Sequence, residues 1–544
     1  MLDYFLENTT KKKLYLFSIL YLKRVTSVKE CKYILTFSST SIISIINELN
    51  FDFNGIAEIN ITNSLELKLI VYEDITFSDL LHGSSTNPQW ISLCGHLEAV
   101  IGNYLLSQAG NPEAYWYAIY QSSNVLHCIK FMITNESNHS FLVFAEDNYL
   151  AKSSAYRIRQ KCIKYIRSIG LDIKKNKVIG EEYRIRFLIA LLYYKCGIDC
   201  CDIDEYSIKL IKEFIISTNQ SITFEFLNNA TNEYDYFECL MSLLWKRKDH
   251  NNNLSIPKEL EKFKEIFIYN DLKKYLHNVI GNQLNIDFSK KDYDYMYLVY
   301  FCTNNFLFAN QWTEERKEHI YKIFLSNQKF YDLYIRLSHK YGKFLEQSHI
   351  FKTILIYFFK DHLFQLQCLI PNQRLYIDTT PTTTYITNND VSGIINSWKK
   401  ANNILYPTDK RSIFYLTTQI EFILRQLVPP VTIILLSDLM SEIEMINLFL
   451  EKNFSRNRIN ITPLLLNSYN LEYLNAEKNR IIIITRGIEY LLKSYNFFQN
   501  NTIVIIDSRT TLYEKEKISN AIANYEEKQF LKICAGTSLT DTEY

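Results

Sequence analysis

The chain has 544 residues, a length that exceeds one hydrophobic core, and its 60 Lys and Arg nearly balance 59 Asp and Glu to give a formal charge of +1. With 47% hydrophobic and 22% charged residues it is globular, which excludes a disordered chain. Only 13 Gly and 9 Pro disfavour a turn-rich all-β architecture, and no apolar run reaches the roughly 18 residues of a membrane helix.

The eleven cysteines follow no paired framework, and the first residues lack a charged start leading into an apolar run and cleavage site, so a reducing cytoplasm is expected. The abundance of Tyr, Phe, Ile, Asn and Lys is read as the codon bias of an AT-rich genome. The near-neutral total hides a gradient. Residues 152–177 hold nine basic residues against Asp172, a local +8 that leaves the rest of the chain at −7. Residues 11–32 hold seven basic residues against Glu30. Such a concentration suits a nucleic-acid-binding region.

Residues 1–78 predict a first winged-helix domain. "KKKLYLFSILYLKR" and "SVKECKYIL" are helices, "TFSS" a turn, "TSIISIINELNF" a third helix capped by Ser or Thr, and "IAEINITNSLELKLIVYED" a two-stranded wing. Residues 79–117 form a linker, in which "HGSSTNPQW" is a loop and "ISLCGHLEAVIGNYLLSQAG" an extra helix ending at Gly110. Residues 118–188 repeat the pattern: "AYWYAIYQSSNVLHCIKFMIT" and "SFLVFAEDNYL" as helices, "AKS" as a turn, the helix "SSAYRIRQKCIKYIRSI", and a short wing around "DIKKNKVIG".

Two helical bundles are expected next, over 189–290 and 291–425, interrupted near 249–256 and 283–292, with 377–390 a polar loop. After Pro429-Pro430, the apolar segments "VTIILLSD", "ITPLLLNS", "IIIITRG" and "TIVIIDS" predict a small α/β domain over 426–544, a parallel sheet with helices on both faces. The fold class is therefore mainly α and multidomain.

The helix near 152–169 carries the functional reading. Ile158, Cys162, Tyr165, Ile166 and Ile169 form its buried stripe, leaving Ser153, Ser154, Tyr156, Arg157, Gln160, Lys161, Lys164 and Arg167 on the other side. In a helix-turn-helix the first turns of the second helix reach base edges and flanking cations hold phosphates. Ser153, Tyr156, Arg157 and Gln160 suit bases, while Lys161, Lys164, Arg167 and the wing residues Lys174, Lys175 and Lys177 suit phosphates. The bland alternative is a solvated basic face. The third helix of the first unit offers Ser38, Ser39, Thr40, Ser44 and Asn47 but no cation, so it either reads shape and bases through small polar groups or has become structural.

"KSSAYRIRQKCIKYIRSIGLDIKKNKVIGEEYRIRFLIALLY" resembles the second DNA-binding domain of the Mga/AtxA family of Gram-positive transcription regulators. Ser154, Tyr156 and Arg157 match its recognition helix, Gly180, Glu181 and Glu182 its wing, and Arg184 and Arg186 the following helix. The order of parts is also similar: two winged helices, two helical domains like phosphotransferase regulation domains (PRDs), and a terminal domain like the sugar-phosphotransferase EIIB component. Residues 79–117 are longer than the family's usual link.

The resemblance implies a dimeric activator that binds double-stranded promoter DNA, dimerises through its C-terminal domain, and is tuned by histidine phosphorylation from the phosphotransferase phosphocarrier protein. His250, after Trp245, Lys246, Arg247 and Lys248, is one candidate substrate, and His362 in "FFKDHLFQL" a second. His349, on an apolar helix, is expected in the core. A working EIIB component holds phosphate on a cysteine after its first strand; here that loop is Ser437-Asp438-Leu439-Met440-Ser441, so no enzymatic activity is expected.

Cys196, Cys200 and Cys201 lack a second ligand cluster, and a helix end rather than a metal site is expected there. No Walker-type loop, nucleotide-binding glycine triplet or paired-His zinc motif occurs, so no cofactor is implied. "KDYDYMY" reads as a helix start. The rival reading is a phosphotransferase signalling or scaffold protein whose winged helices bind proteins; an RNA-binding antiterminator and an enzyme using the α/β domain stand further off.

Overall fold

The computed structural model describes residues 2–23, 25–54, 56–62, 65–72, 90–92, 114–135, 139–218, 234–265, 268–303, 313–342, 344–371, 385–455, 457–467, 470, 473–474, 477–489, 501–507 and 511–534. Residues divide into two compact units. One comprises Met1–Tyr331, Ile356–Thr383 and Asn396–Ile413, the other Asp332–Leu355, Thr384–Ile395 and Phe414–Tyr544.

The first unit opens with a winged helix. Helices Asn8–Lys23, Val28–Leu35 and Ser39–Phe53 pack through Leu16, Phe17, Leu20, Ile42, Ile46, Leu49 and Phe53, all buried. Ser27 and Ser38 cap the second and third helices by accepting from the amides of Glu30 and Ser41. Strands β1 (Val25–Ser27), β2 (Ala57–Ile61) and β3 (Glu66–Tyr72) form the antiparallel wing. Strand β4 (Trp90–Ser92) also pairs with β3, so these residues are neither loop nor helix as the sequence suggested. The rest of the expected linker helix lies outside the described residues.

The second unit of this kind differs from expectation at its entry. The segment expected as one helix is two, Ala114–Gln121 and Asn124–Thr134, broken where Ser123 caps the second. Glu7, far away in sequence, accepts from the Ser123 hydroxyl (2.6 Å) and the Val125 amide (2.8 Å), holding the break. Helices Phe141–Asp147 and Lys152–Ser168 follow, then the hairpin β5 (Asp172–Lys174) and β6 (Lys177–Ile179) and helix Glu182–Cys196. The two winged units share a core, with Phe17 edge-on to Trp116 at 4.8 Å and Phe53 against Tyr115 at 6.1 Å.

Helices Glu205–Thr218, Asp235–Lys246 and Lys290–Cys302 build the first bundle. Short 3-10 turns at Lys248–Asn253 and Lys258–Phe263 supply its expected interruption. "KDYDYMY" begins a helix whose Ser289 and Asp292 form a capping box. Further helices follow, including His349–Leu363, Tyr385–Ala401 and Lys410–Arg425. Residues 385–390 of the expected polar loop are thus helical, and 377–384 lie outside the described residues.

In the second unit, strands β7 (Val431–Ser437), β8 (Ile459–Leu465), β9 (Ile481–Thr485) and β10 (Thr502–Ile506) form a parallel sheet in the order β10-β9-β7-β8. Alternation along these strands sends Ile433, Leu435, Ile481, Ile483, Val504 and Ile506 to one face, where helices Met440–Asn453 and Leu512–Cys534 cover them. Ile434, Leu436, Ile482 and Ile484 face Leu474 and Ile488 on the other side. Both long helices described here lie on one face, and Leu474 and Ile488, each in a helical turn, lie on the other.

Candidate nucleic-acid interface

The helix Lys152–Ser168 is anchored by one side. Ala155, Cys162, Tyr165, Ile166 and Ile169 are buried, and burying each large side chain contributes roughly 1.5–3 kcal/mol. Opposite them Lys152, Ser153, Ser154, Tyr156, Arg157, Gln160, Lys164 and Arg167 are exposed. The preceding turn presents Tyr149, 97% exposed and left-handed at φ 50°. The hairpin tip adds exposed Lys174 and Lys175, with Lys175 and Asn176 both left-handed (φ 51° and 60°), as a tight two-residue turn requires.

Lys161 departs from the expected face. It is half-buried, and its Nζ donates to the Leu6 carbonyl at 3.4 Å, which turns it toward the first winged unit. Arg167 is exposed but paired with Asp172 at 2.9 Å, whose carboxyl is held below the usual range by that bond. Arg159, which the pattern reading passed over, braces the wing: it donates to Asn176 Oδ1 at 3.1 Å and sits 5.6 Å from the Phe141 ring. Asn176 also donates to His139 O at 3.4 Å, so helix, wing and loop are tied. Tyr149 and Lys152 were likewise missed; a tyrosine in a tight turn before a basic helix was the available signal.

In the first unit, Ser39, Thr40, Ser44 and Asn47 are exposed along the third helix. Ser38 is committed to capping and lies 3.0 Å from the Thr40 hydroxyl. Of the nearby cations, Lys13 binds Asp52 (2.8 Å) and Glu48 (3.3 Å) and Lys23 binds Glu30, while Lys29 and Lys32 are exposed on the second helix.

Behind the basic helix lies a buried charge cluster. Glu182, 2% exposed, accepts from Arg186 Nε (3.1 Å) and from Arg247 Nε (2.7 Å) and Nη2 (3.0 Å). Arg186 is fully buried, donates to Asn251 Oδ1 (2.7 Å), and stacks 4.6 Å from the Tyr295 ring; Asn251 in turn donates to Asp292 (2.7 Å). The wing-to-helix junction is thus welded to the first bundle.

The histidines fall into three environments. His250 is half-buried in the 3-10 turn beside exposed Lys248, while Arg247, one of the cations preceding it, is committed inward to Glu182. His362 is 4% exposed, with Nδ1 2.9 Å from Phe358 O and Nε2 2.9 Å from Thr408 Oγ1; burial lowers its pKa to about 4. His349 is exposed at the start of its helix, not in the core. Cys196 ends its helix, and burial raises Cys200 to about 12 and Cys196 and Cys201 above their ordinary values.

In the α/β domain Ser437 is buried, donates to Glu442 Oε2 at 2.8 Å and accepts from Thr485 Oγ1 at 3.2 Å. Asp438, next in sequence, is exposed.

A basic recognition helix with its wing, followed by helical regulatory domains, defines the class of DNA-binding transcription regulators. Residues 112–193 match the Mga helix-turn-helix domain, and residues 207–389 match the PRD domain of the M protein trans-acting positive regulator (MGA). No curated protein matches the chain. The chain thus carries two domains similar to those of the Mga regulators, over 112–193 and 207–389. Among the described residues no helix is long and apolar enough to cross a membrane.

Proposed function

We propose that the protein is a cytoplasmic, dimeric transcription activator that reads promoter DNA chiefly through the helix Lys152–Ser168. The observation that carries this reading is the division of that helix into a buried stripe and an exposed face bearing Lys152, Tyr156, Arg157, Gln160, Lys164 and Arg167. Ser153, Ser154, Tyr156, Arg157 and Gln160 contact base edges, and Lys164, Arg167, Lys174 and Lys175 contact phosphates. Lys161 is a poorer phosphate ligand, given its bond to Leu6. Ser39, Thr40 and Ser44 supply at most a weak second contact.

Dimerisation through the C-terminal domain fits the exposed apolar residues Leu439, Met440, Met445 and Leu448 at and along the helix Met440–Asn453, which a second copy would cover. His250 is the better placed of the two regulatory histidines. Its neighbour Asn251 bridges Arg186 and Asp292, so a phosphoryl group on His250, transferred by the phosphocarrier protein, would press on the junction behind the recognition helix. Selection of duplexes from a randomised pool tests the reading. Enrichment of one motif, lost with Arg157→Ala, is expected; a pool that stays random overturns it.

A further inference from the structure

The C-terminal end of the recognition helix is held by Arg184 of its own domain and covered by Tyr406 from outside it. The carbonyl of Ile169, where the helix stops, accepts from Arg184 Nε at 3.0 Å and Nη2 at 2.5 Å. Arg184 is 3% exposed, and its guanidinium lies 4.5 Å from the centroid of the Tyr406 ring. Gly170 follows in the left-handed region at φ 82°, and a Cβ there would overlap the Tyr406 hydroxyl. Tyr406 therefore closes over the last turn and clamps Arg184 against it.

The segment that delivers Tyr406, residues 404–409, is neither helix nor strand and lies beyond the residues matched to the regulatory domain. Its backbone is pinned at both carbonyls: Gln367 Nε2 donates to Tyr406 O and Cys368 Sγ to Pro407 O, each at 3.0 Å. One residue on, Thr408 meets His362. Phe358 O can only accept, so His362 Nδ1 carries the proton and Nε2 accepts from the Thr408 hydroxyl.

We infer that residues 404–409 are a strap that sets the position of the recognition helix, with Tyr406 and Arg184 as positioning residues and the Thr408–His362 bond as its fastening. Arg157 stands twelve residues from Ile169, roughly 18 Å along the helix. A rotation of about 10° at that end would carry Arg157 about 3 Å, the length of a hydrogen bond. The strap joins the second helical region to the DNA-reading surface without touching that surface, and its consequence for affinity rests on the DNA-binding reading above.

Hydrogen–deuterium exchange on the full-length, DNA-free protein tests the strap, and duplex affinity measured in parallel tests its consequence. Tyr406→Ala is expected to speed exchange of the Ile169, Gly170 and Leu171 amides about tenfold, and the milder Thr408→Val about threefold. Tyr406→Phe, which keeps the ring under Arg184, should restore near-wild-type exchange. Affinity for the selected duplex should fall in the same order. Faster exchange within 404–409 with unchanged exchange at 169–171 would overturn the strap, and Thr408→Val can show that outcome even if Tyr406→Ala fails to fold. A wild-type protein that ignores DNA while these amides respond would instead defeat the DNA-binding reading and leave the strap standing.

Discussion

The two winged units share a fold and part in their electrostatics. The second helix-turn-helix presents Lys152, Arg157, Lys164 and Arg167 to solvent, while the equivalent helix of the first, Ser39–Phe53, presents hydroxyls and Asn47. The first unit is not short of cations; Lys13 and Lys23 hold its own acids, and its exposed Lys29 and Lys32 stand on the second helix rather than the third. The second also has buried cations, Arg184 and Arg186, and these tie it to the helical regions behind. A winged helix is thus a frame, and the charges left unspent on its surface decide whether it meets a polyanion.

The comparison breaks most sharply at Glu182. Glu182→Gln leaves Arg186 and Arg247 without their buried counter-charge, and about 3–5 kcal/mol of stability should be lost, read as a lowered midpoint in denaturant unfolding. Next in size, Arg157→Ala combined with Lys164→Ala should weaken duplex binding by about a hundredfold while leaving unfolding unchanged.

A third effect, in the helical region that fastens residues 404–409, concerns pH. Burial raises Asp361 to about 7 and lowers the adjacent His362 to about 4. Asp361 keeps a proton in the folded state that the unfolded chain releases, so its contribution is present below pH ~4 and is lost as pH rises to about 7. His362 is neutral when folded and protonated when unfolded, so its contribution is present above pH ~6.5 and lost as pH falls toward about 4. The two slopes oppose each other. Asp361→Asn should therefore leave a protein whose stability rises from pH ~4.5 to ~6.5, measured by thermal unfolding across that range, and stands above wild type at pH ~7. The smallest effect belongs to the first unit: Ser39→Ala, Thr40→Ala and Ser44→Ala should each keep duplex affinity within about threefold of wild type.

Much of this was legible in the order of residues. Helical periodicity placed Cys162, Tyr165, Ile166 and Ile169 inward, and short apolar runs located the four described strands of the terminal sheet. What escaped was set by distant partners. The break at Ser122–Ser123 depends on Glu7, and Lys161 turns inward because Leu6 offers a carbonyl. Arg184 and Arg186 look like surface cations until Tyr406, Glu182 and Asn251 are brought against them. His349 was misplaced because its helix is apolar as a whole, though His349 and Ile350 at its start face solvent. Local patterns fix which side of an element is greasy; they do not say which charge will find a buried partner.

The central claim is that the exposed cations of the helix Lys152–Ser168 neutralise duplex phosphates. It is tested most directly by the dependence of duplex affinity on salt, for wild type and for Lys164→Ala. The slope of log affinity against log salt should be shallower in the variant by about one. Superimposable slopes and equal affinities for the two proteins would contradict the account.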